Sequence, residues 1–359
     1  LEQWMGKAEG NCAIDYGFHQ IIGDVTEQSL KDMDALVSEG ISSFKLFMAY
    51  PGVFLSDDGQ ILRAMQQAAG NGSLIMMHAE NGLAIDVLAE QAVERGDIAP
   101  INHGYVRRQE LEGEATHRAI QLAKVGAAPL YIVHLSASEA LEQVAIARGK
   151  GANVFAETCP QYLYLNLEDH LGAPGFAGAG YVCSTPLRTK HAHHHEDLWT
   201  GLRTNDLSVV ATDHCPFCMK DQKELGLDDF RAIPNGIGGV EHRMDLIYQG
   251  VVQGEISLPR WVELCSTTPA RMFGLYPQKG TIQPGSDADI VLYDPNSSWT
   301  ISVDNHHMNM DYSAYEGFEI QGKVDTVMSR GNVIVENGDY LGSPGDGKYQ
   351  PRGLSSYLI

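Results

Sequence analysis

The chain has 359 residues, 43% of them hydrophobic, and its 25 basic side chains face 46 acidic ones for a net charge of −21. That length buries a large core and accommodates one big domain plus a smaller one. The acidity argues against nucleic acid or an anionic membrane surface as a partner, and no apolar run is long enough to cross a bilayer.

Residues 1–9 read as an amphipathic helix without the layout of a signal peptide. A strand is expected at 13–18, a helix at 27–39 closed by Gly40, and the next strand at 43–47. A loop through Pro51 and Gly52 leads to a helix near 58–69, then a strand at 74–77 and helices over 84–95 and 110–125. Strand 130–133 is followed by helix 138–148, and 153–157 and 208–211 read as two further strands separated by a long irregular stretch. This makes six βα units, two short of a closed eight-stranded barrel. After a helix at 261–275 the texture changes. The Gly-rich run 280–295 offers turn residues and then a strand, and 299–303 and 324–336 continue in alternation. The expected division is a barrel over 1–276, a β-sandwich portion over 277–340 and an extended tail over 341–359.

Four apolar runs each carry a metal-capable or ionisable residue: Lys45 in Phe44-Lys45-Leu46-Phe47, His78 in Met77-His78-Ala79-Glu80, His134 in Val133-His134-Leu135-Ser136, and Asp213 in Thr212-Asp213-His214. The apolar neighbours Phe44, Leu46 and Phe47 are the expected wall around the Lys45 amine. Short buried strands that each present one such group at the carboxyl end form the usual site of a (β/α) barrel. Each residue alone has an ordinary explanation: a lysine snorkels, a strand-end histidine is hydrogen-bonded core, and an aspartate before a loop caps a helix. Together they point to a metal hydrolase. Cys215-Pro216-Phe217-Cys218 has no second pair to complete a zinc site and reads as loop. The spread of the six cysteines suits reduced thiols and a cytoplasmic location. His191-Ala192-His193-His194-His195 lies in a polar stretch and reads as solvated loop.

The order and spacing of Ser43–Tyr50, His78-Ala79-Glu80-Asn81-Gly82, Val133-His134-Leu135-Ser136, Glu157–Leu163, Ser184-Thr185-Pro186-Leu187-Arg188, Thr212–Phe217 and Pro234-Asn235-Gly236-Ile237 resemble the bacterial D-hydantoinase/dihydropyrimidinase family of cyclic amidohydrolases. The resemblance implies a (β/α)8 barrel with a β-sandwich, a homo-oligomer (tetramer or dimer), and hydrolytic ring opening of dihydropyrimidines or 5-substituted hydantoins. It implies two zinc ions bridged by a carboxylated Lys45, with His78, His134 and Asp213 as further ligands. Asp213 is the expected general acid/base and Tyr50 the donor to the oxyanion, while Ser184 and Asn235 clasp the ring imide through their backbones. Ring opening of the allantoinase or dihydroorotase type, a non-catalytic dihydropyrimidinase-related protein, and an inactive fragment are the alternative expectations. The family's His-x-His pair of the first barrel strand has no counterpart here, so two of the eight strands are expected to lie outside the chain, with at most one tightly held zinc.

Overall fold

The computed structural model describes residues 1–358. Six strands form one parallel sheet in sequential order: β1 (Gln20–Ile21), β2 (Ser43–Phe47), β3 (Leu74–His78), β4 (Leu130–Ile132), β5 (Val154–Thr158) and β6 (Val209–Val210). Helices follow most of these strands, so the fold is a (β/α) barrel, of which the described residues supply six strands. Both faces of the sheet are buried. Phe44, Leu46, Ile75, Met77, Leu130, Ile132, Val154 and Ala156 belong to the main core, together with the apolar faces of the helices. The alternate residues Leu74, Met76, Tyr131, Val133, Phe155 and Val209 form a second, inner cluster, joined by Phe273, Tyr357 and Leu358. Pairing aligns Lys45 with Met76, Met76 with Tyr131 and Tyr131 with Phe155 in one layer of that inner face. Phe47 pairs with His78 one layer further toward the carboxyl ends.

Local chemistry explains where the helices begin and end. Thr26 and Asp57 each accept a bond from the N3 amide in a capping box, with Ser29 and Gln60 as reciprocal partners. The helix Asp58–Asn71 stops at Gly72, whose φ of 77° only glycine adopts without strain. The expected helix at 261–275 is present as Leu258–Val262 and Thr268–Met272 joined by a π-helical turn, Glu263–Thr267. Pro269 lacks the amide that a regular α-turn needs there.

A second sheet is antiparallel, in the order β10 (Asp339–Tyr340), β9 (Asn332–Glu336), β8 (Glu319–Ser329) and β7 (Ile290–Thr300). It is the described residues' share of the expected sandwich. Its seam with the barrel is specific: the Gln249 amide exchanges two 3.0 Å bonds with the Gln321 backbone, and Tyr293 packs 4.7 Å from Tyr248 and 5.1 Å from Trp261.

One expected strand falls elsewhere. Residues 13–18 do not join the barrel sheet; its first strand is Gln20–Ile21. Instead Tyr16 pairs with the tail, receiving a 2.8 Å bond from Gln350 and donating a 3.1 Å bond to Lys348. The alternation of apolar residues marks extended chain correctly but carries no information on which partner it pairs with. The tail (Ile359 lies outside the described residues) has no helix or strand beyond residue 340. It packs closely nonetheless: Arg352 donates 2.9 Å to the Gly40 carbonyl, and a Cβ on Gly40 would lie 2.5 Å from Pro351.

Candidate active site

His78, His134 and Asp213 lie at the sheet's carboxyl ends as expected, whereas Lys45 lies within its strand. Lys45 is the middle residue of β2, His78 the last of β3, and His134 and Asp213 follow β4 and β6 in the loops. Strand alternation sends Phe44 and Leu46 to the opposite face, so the apolar surroundings of Lys45 come from its own face. They are the Phe47 ring, 4.9 Å from its Nζ, and Met76 beside it. Tyr50, His134 and Asp213 all have left-handed backbones, with φ of 64°, 40° and 47°. Such conformations cost about 1–3 kcal/mol each outside glycine and concentrate at functional sites. Three of the five residues expected to do chemistry are held this way.

His78 and His134 are both buried, and His78 Nδ1 lies 2.9 Å from His134 Nε2. His78 Nε2 bonds Glu80 Oε2 at 2.7 Å, and Arg107 Nη1 reaches the same oxygen at 2.8 Å. Burial alone would raise the Glu80 pKa, but Arg107 and then His78 outweigh it and hold the carboxyl well below its usual range. The ionised Glu80 therefore accepts a hydrogen bond from His78 Nε2–H, which leaves Nδ1 as the acceptor that faces His134 Nε2. Burial keeps the His134 ring neutral, and its Nδ1 is buried without a hydrogen-bond partner.

Beneath them lies Glu157, buried on β5. It accepts 2.6 Å from the Tyr131 hydroxyl and 3.3 Å from the His134 backbone N–H, which steadies the left-handed turn at His134. Burial first, with Asp213 adding to it, raises its pKa to about 7. Asp213 is half-buried. Burial raises its pKa, and the charges of Lys45 and His78 pull it back. Asp213 and Lys45 are thus within electrostatic reach of each other and of His78.

Tyr50 stands across from this group, its ring 5.3 Å from His78 and 5.5 Å from the Arg107 guanidinium. Burial raises its pKa and its hydroxyl faces Ser184, so it remains a proton donor. Ser184 is buried and Asn235 half-buried. The two stretches that carry them are joined, since Gly236 N–H donates 2.9 Å to the Val182 carbonyl.

Glu80, Arg107 and Glu157 were not expected at the site, although Glu80 and Glu157 sit inside the quoted motifs; the signal for Glu80 is a carboxylate two residues after His78, and for Glu157 a carboxylate on an otherwise buried strand. The histidine tract does not join the site. His193 is exposed against Glu196, His194 bonds Ser138, and His195 bonds the Leu165 carbonyl. Cys215 and Cys218 are half-buried free thiols in the loop after β6. The carboxylates of Asp15, Asp287 and Asp289 also converge, but the Lys279 ammonium occupies their centre at 2.5–2.9 Å.

The donors at the barrel mouth fit a cation. His78 Nδ1 and His134 Nε2 face each other across 2.9 Å, and the Asp213 carboxylate and the Lys45 amine lie within electrostatic reach of them. Such a nitrogen and oxygen set suits zinc. The comparisons place the chain in a family. The family model of the amidohydrolase family matches residues 24–334. A D-hydantoinase of Streptomyces coelicolor is 63% identical over 358 residues, covering 100% of this chain and 76% of that protein. The crystal structure of dihydropyrimidinase from Brevibacillus agri superposes with a TM-score of 0.97 at 46% identity, over 99% of this chain and 77% of the other. The L-hydantoinase (dihydropyrimidinase) of Arthrobacter aurescens gives 0.89 at 28% identity, over 98% and 76%. The chain belongs to the amidohydrolase family, among its D-hydantoinases and dihydropyrimidinases.

Proposed function

We propose that the chain opens cyclic amides by hydrolysis, converting 5,6-dihydropyrimidines or 5-substituted hydantoins to N-carbamoyl amino acids. The observation that carries this reading is the 2.9 Å approach of His78 Nδ1 to His134 Nε2, with Glu80 fixing the His78 tautomer. His78, His134, Asp213 and Lys45 as its carbamate would hold zinc, two ions in a complete site. Bound zinc supplies Lewis-acid polarisation of the scissile carbonyl and acidifies water.

The chain's own groups do the rest. The Lys45 amine, when neutral, adds to carbon dioxide and loses a proton, giving two carboxylate oxygens where one nitrogen stood. Asp213 takes a proton from the attacking water and passes it to the leaving amide nitrogen. Burial works in its favour by raising its proton affinity. The Tyr50 hydroxyl donates to the carbonyl oxygen as it gains charge. The main-chain groups of Ser184 and Asn235 make no hydrogen bond among the described residues and are free to take the ring imide. All six cysteines are free thiols, which supports a reducing, cytoplasmic setting.

The test is turnover of hydantoin and dihydrouracil by the zinc-loaded protein, with product identified as the N-carbamoyl acid. Chelation should abolish turnover and zinc should restore it, and intact mass should show the gain of one carbon dioxide. Zinc-replete protein that opens neither ring would overturn the proposal.

A further inference from the structure

Lys223 begins the short 3-10 helix Lys223–Gly226 in the loop after β6, and it is fully buried. Among the described residues its ammonium has no carboxylate partner. All three of its protons go instead to main-chain carbonyls: Val182 at 3.0 Å, Pro234 at 2.7 Å and Gly236 at 2.8 Å. An ammonium has three donors and no acceptor, so this set saturates it. The Phe217 ring lies 5.7 Å away. Burying a charge is costly unless it is hydrogen-bonded, and these three carbonyls are what compensates the Lys223 ammonium.

The position of the three carbonyls is informative. Pro234 and Gly236 flank Asn235 directly, and Val182 lies two residues before Ser184 on a stretch already bonded to Gly236 N–H. Ser184 and Asn235 keep their own main-chain groups uncommitted between these anchors. One ammonium therefore fixes both arms of the imide clasp relative to each other. We propose that Lys223 is a positioning residue that sets the spacing of the Ser184 and Asn235 main chains and thereby the affinity for an unsubstituted ring imide. This rests on the reading above that those two residues hold the ring.

The experiment compares succinimide with N-methylsuccinimide as inhibitors of the full, zinc-loaded chain. Methylation removes the imide N–H and should weaken binding to the parent protein about tenfold. If the parent does not distinguish the two probes, the clasp itself fails, and Lys223 with it. In Lys223→Met, succinimide should lose about tenfold while N-methylsuccinimide is nearly unchanged, so that the ratio collapses. KM for dihydrouracil should rise by a similar factor, with kcat within about threefold and zinc content unchanged. Lys223→Gln, which keeps two donors on a shorter arm, should fall between, and it serves as the reading if the Met variant does not fold. A parent that discriminates beside variants that discriminate equally well overturns the inference while leaving the clasp intact. A lower Tm with the ratio preserved overturns it too, because it assigns Lys223 to stability alone.

Discussion

The two walls of the site are built by different means. On the histidine wall, His78, Glu80, Arg107 and His134 are locked by bonds between buried side chains, two of them charge-assisted. On the loop wall, Ser184 and Asn235 present main chain, and buried side chains grip the carbonyls around them. Lys223 takes those of residues 182, 234 and 236, His103 takes Cys183 at 2.8 Å, and Tyr162 takes Thr185 at 2.8 Å. A side-chain wall loses a function when one residue is replaced. A main-chain wall cannot be deleted by substitution, only displaced. Damage to the first should therefore appear in kcat or metal content, and damage to the second in KM.

Asp213 stands between the walls, just past the strand that opens the loop wall but under the influence of the Lys45 and His78 charges, and it gives the largest expected effect. Asp213→Asn keeps an oxygen donor and removes the base. The expected loss is on the order of 10²–10⁴ in kcat, the range for a positioned general acid/base, with zinc content nearly unchanged. Steady-state kinetics beside metal analysis decides the matter. A variant that raises KM and keeps kcat would move Asp213 to the loop wall and break the division.

The next effect lies wholly on the histidine wall. Glu80→Gln keeps the shape but loses the charge that Arg107 and His78 both use. Partners that orient a metal-binding histidine are worth about 10–100-fold in metal affinity. Competition with a chromophoric chelator should show zinc affinity falling by that factor, and KM at saturating zinc should stay near the parent value. Retained affinity would mean that His78 is oriented by packing against Phe47, 5.5 Å away, and that the carboxylate is dispensable.

The same division separates what was legible in the sequence from what was not. Lys45, His78, His134 and Asp213 announce themselves because a polar residue on a short apolar run is chemically out of place, and the structure puts the last three at the carboxyl ends of one sheet, with Lys45 within its strand. Even there the detail differs: Phe44 and Leu46 are adjacent to Lys45 in sequence, yet strand alternation turns them away, and Met76 from the neighbouring strand takes their place. Glu80 was visible inside a motif, but its use depends on Arg107, 27 positions away. The loop wall was least legible. Lys223 sits in a polar stretch, Lys220-Asp221-Gln222-Lys223-Glu224, where solvent exposure is the ordinary fate of a lysine. Only the folded path of three carbonyl groups marks it out. The first strand failed for a related reason, since pairing of residues 13–18 with the tail is a contact more than three hundred residues distant.

The smallest effect tests whether a single grip on the loop wall behaves as that wall should. His103 is buried and bonds only the Cys183 carbonyl firmly, at 2.8 Å, with the Ser184 hydroxyl at 3.5 Å. His103→Phe fills the space and removes the donor, leaving Lys223 and Tyr162 in place on either side. One neutral hydrogen bond is worth about 0.5–1.5 kcal/mol, so KM should rise about two- to tenfold while kcat and zinc content hold. The substitution carries a second signature. Burial, then the Arg107 charge, pushes the His103 pKa down to about 3, against about 6.5 in an unfolded chain. Between those values the unfolded chain binds a proton that the folded one does not, so this group's stabilising effect is full above pH 6.5 and is lost progressively as pH falls toward 3. Phenylalanine removes that linkage, and Tm measured from pH 7 down to pH 4 should fall less steeply than in the parent. A flatter acid profile without a KM change would show that His103 stabilises the fold without aligning the clasp, and would leave Lys223 to align it.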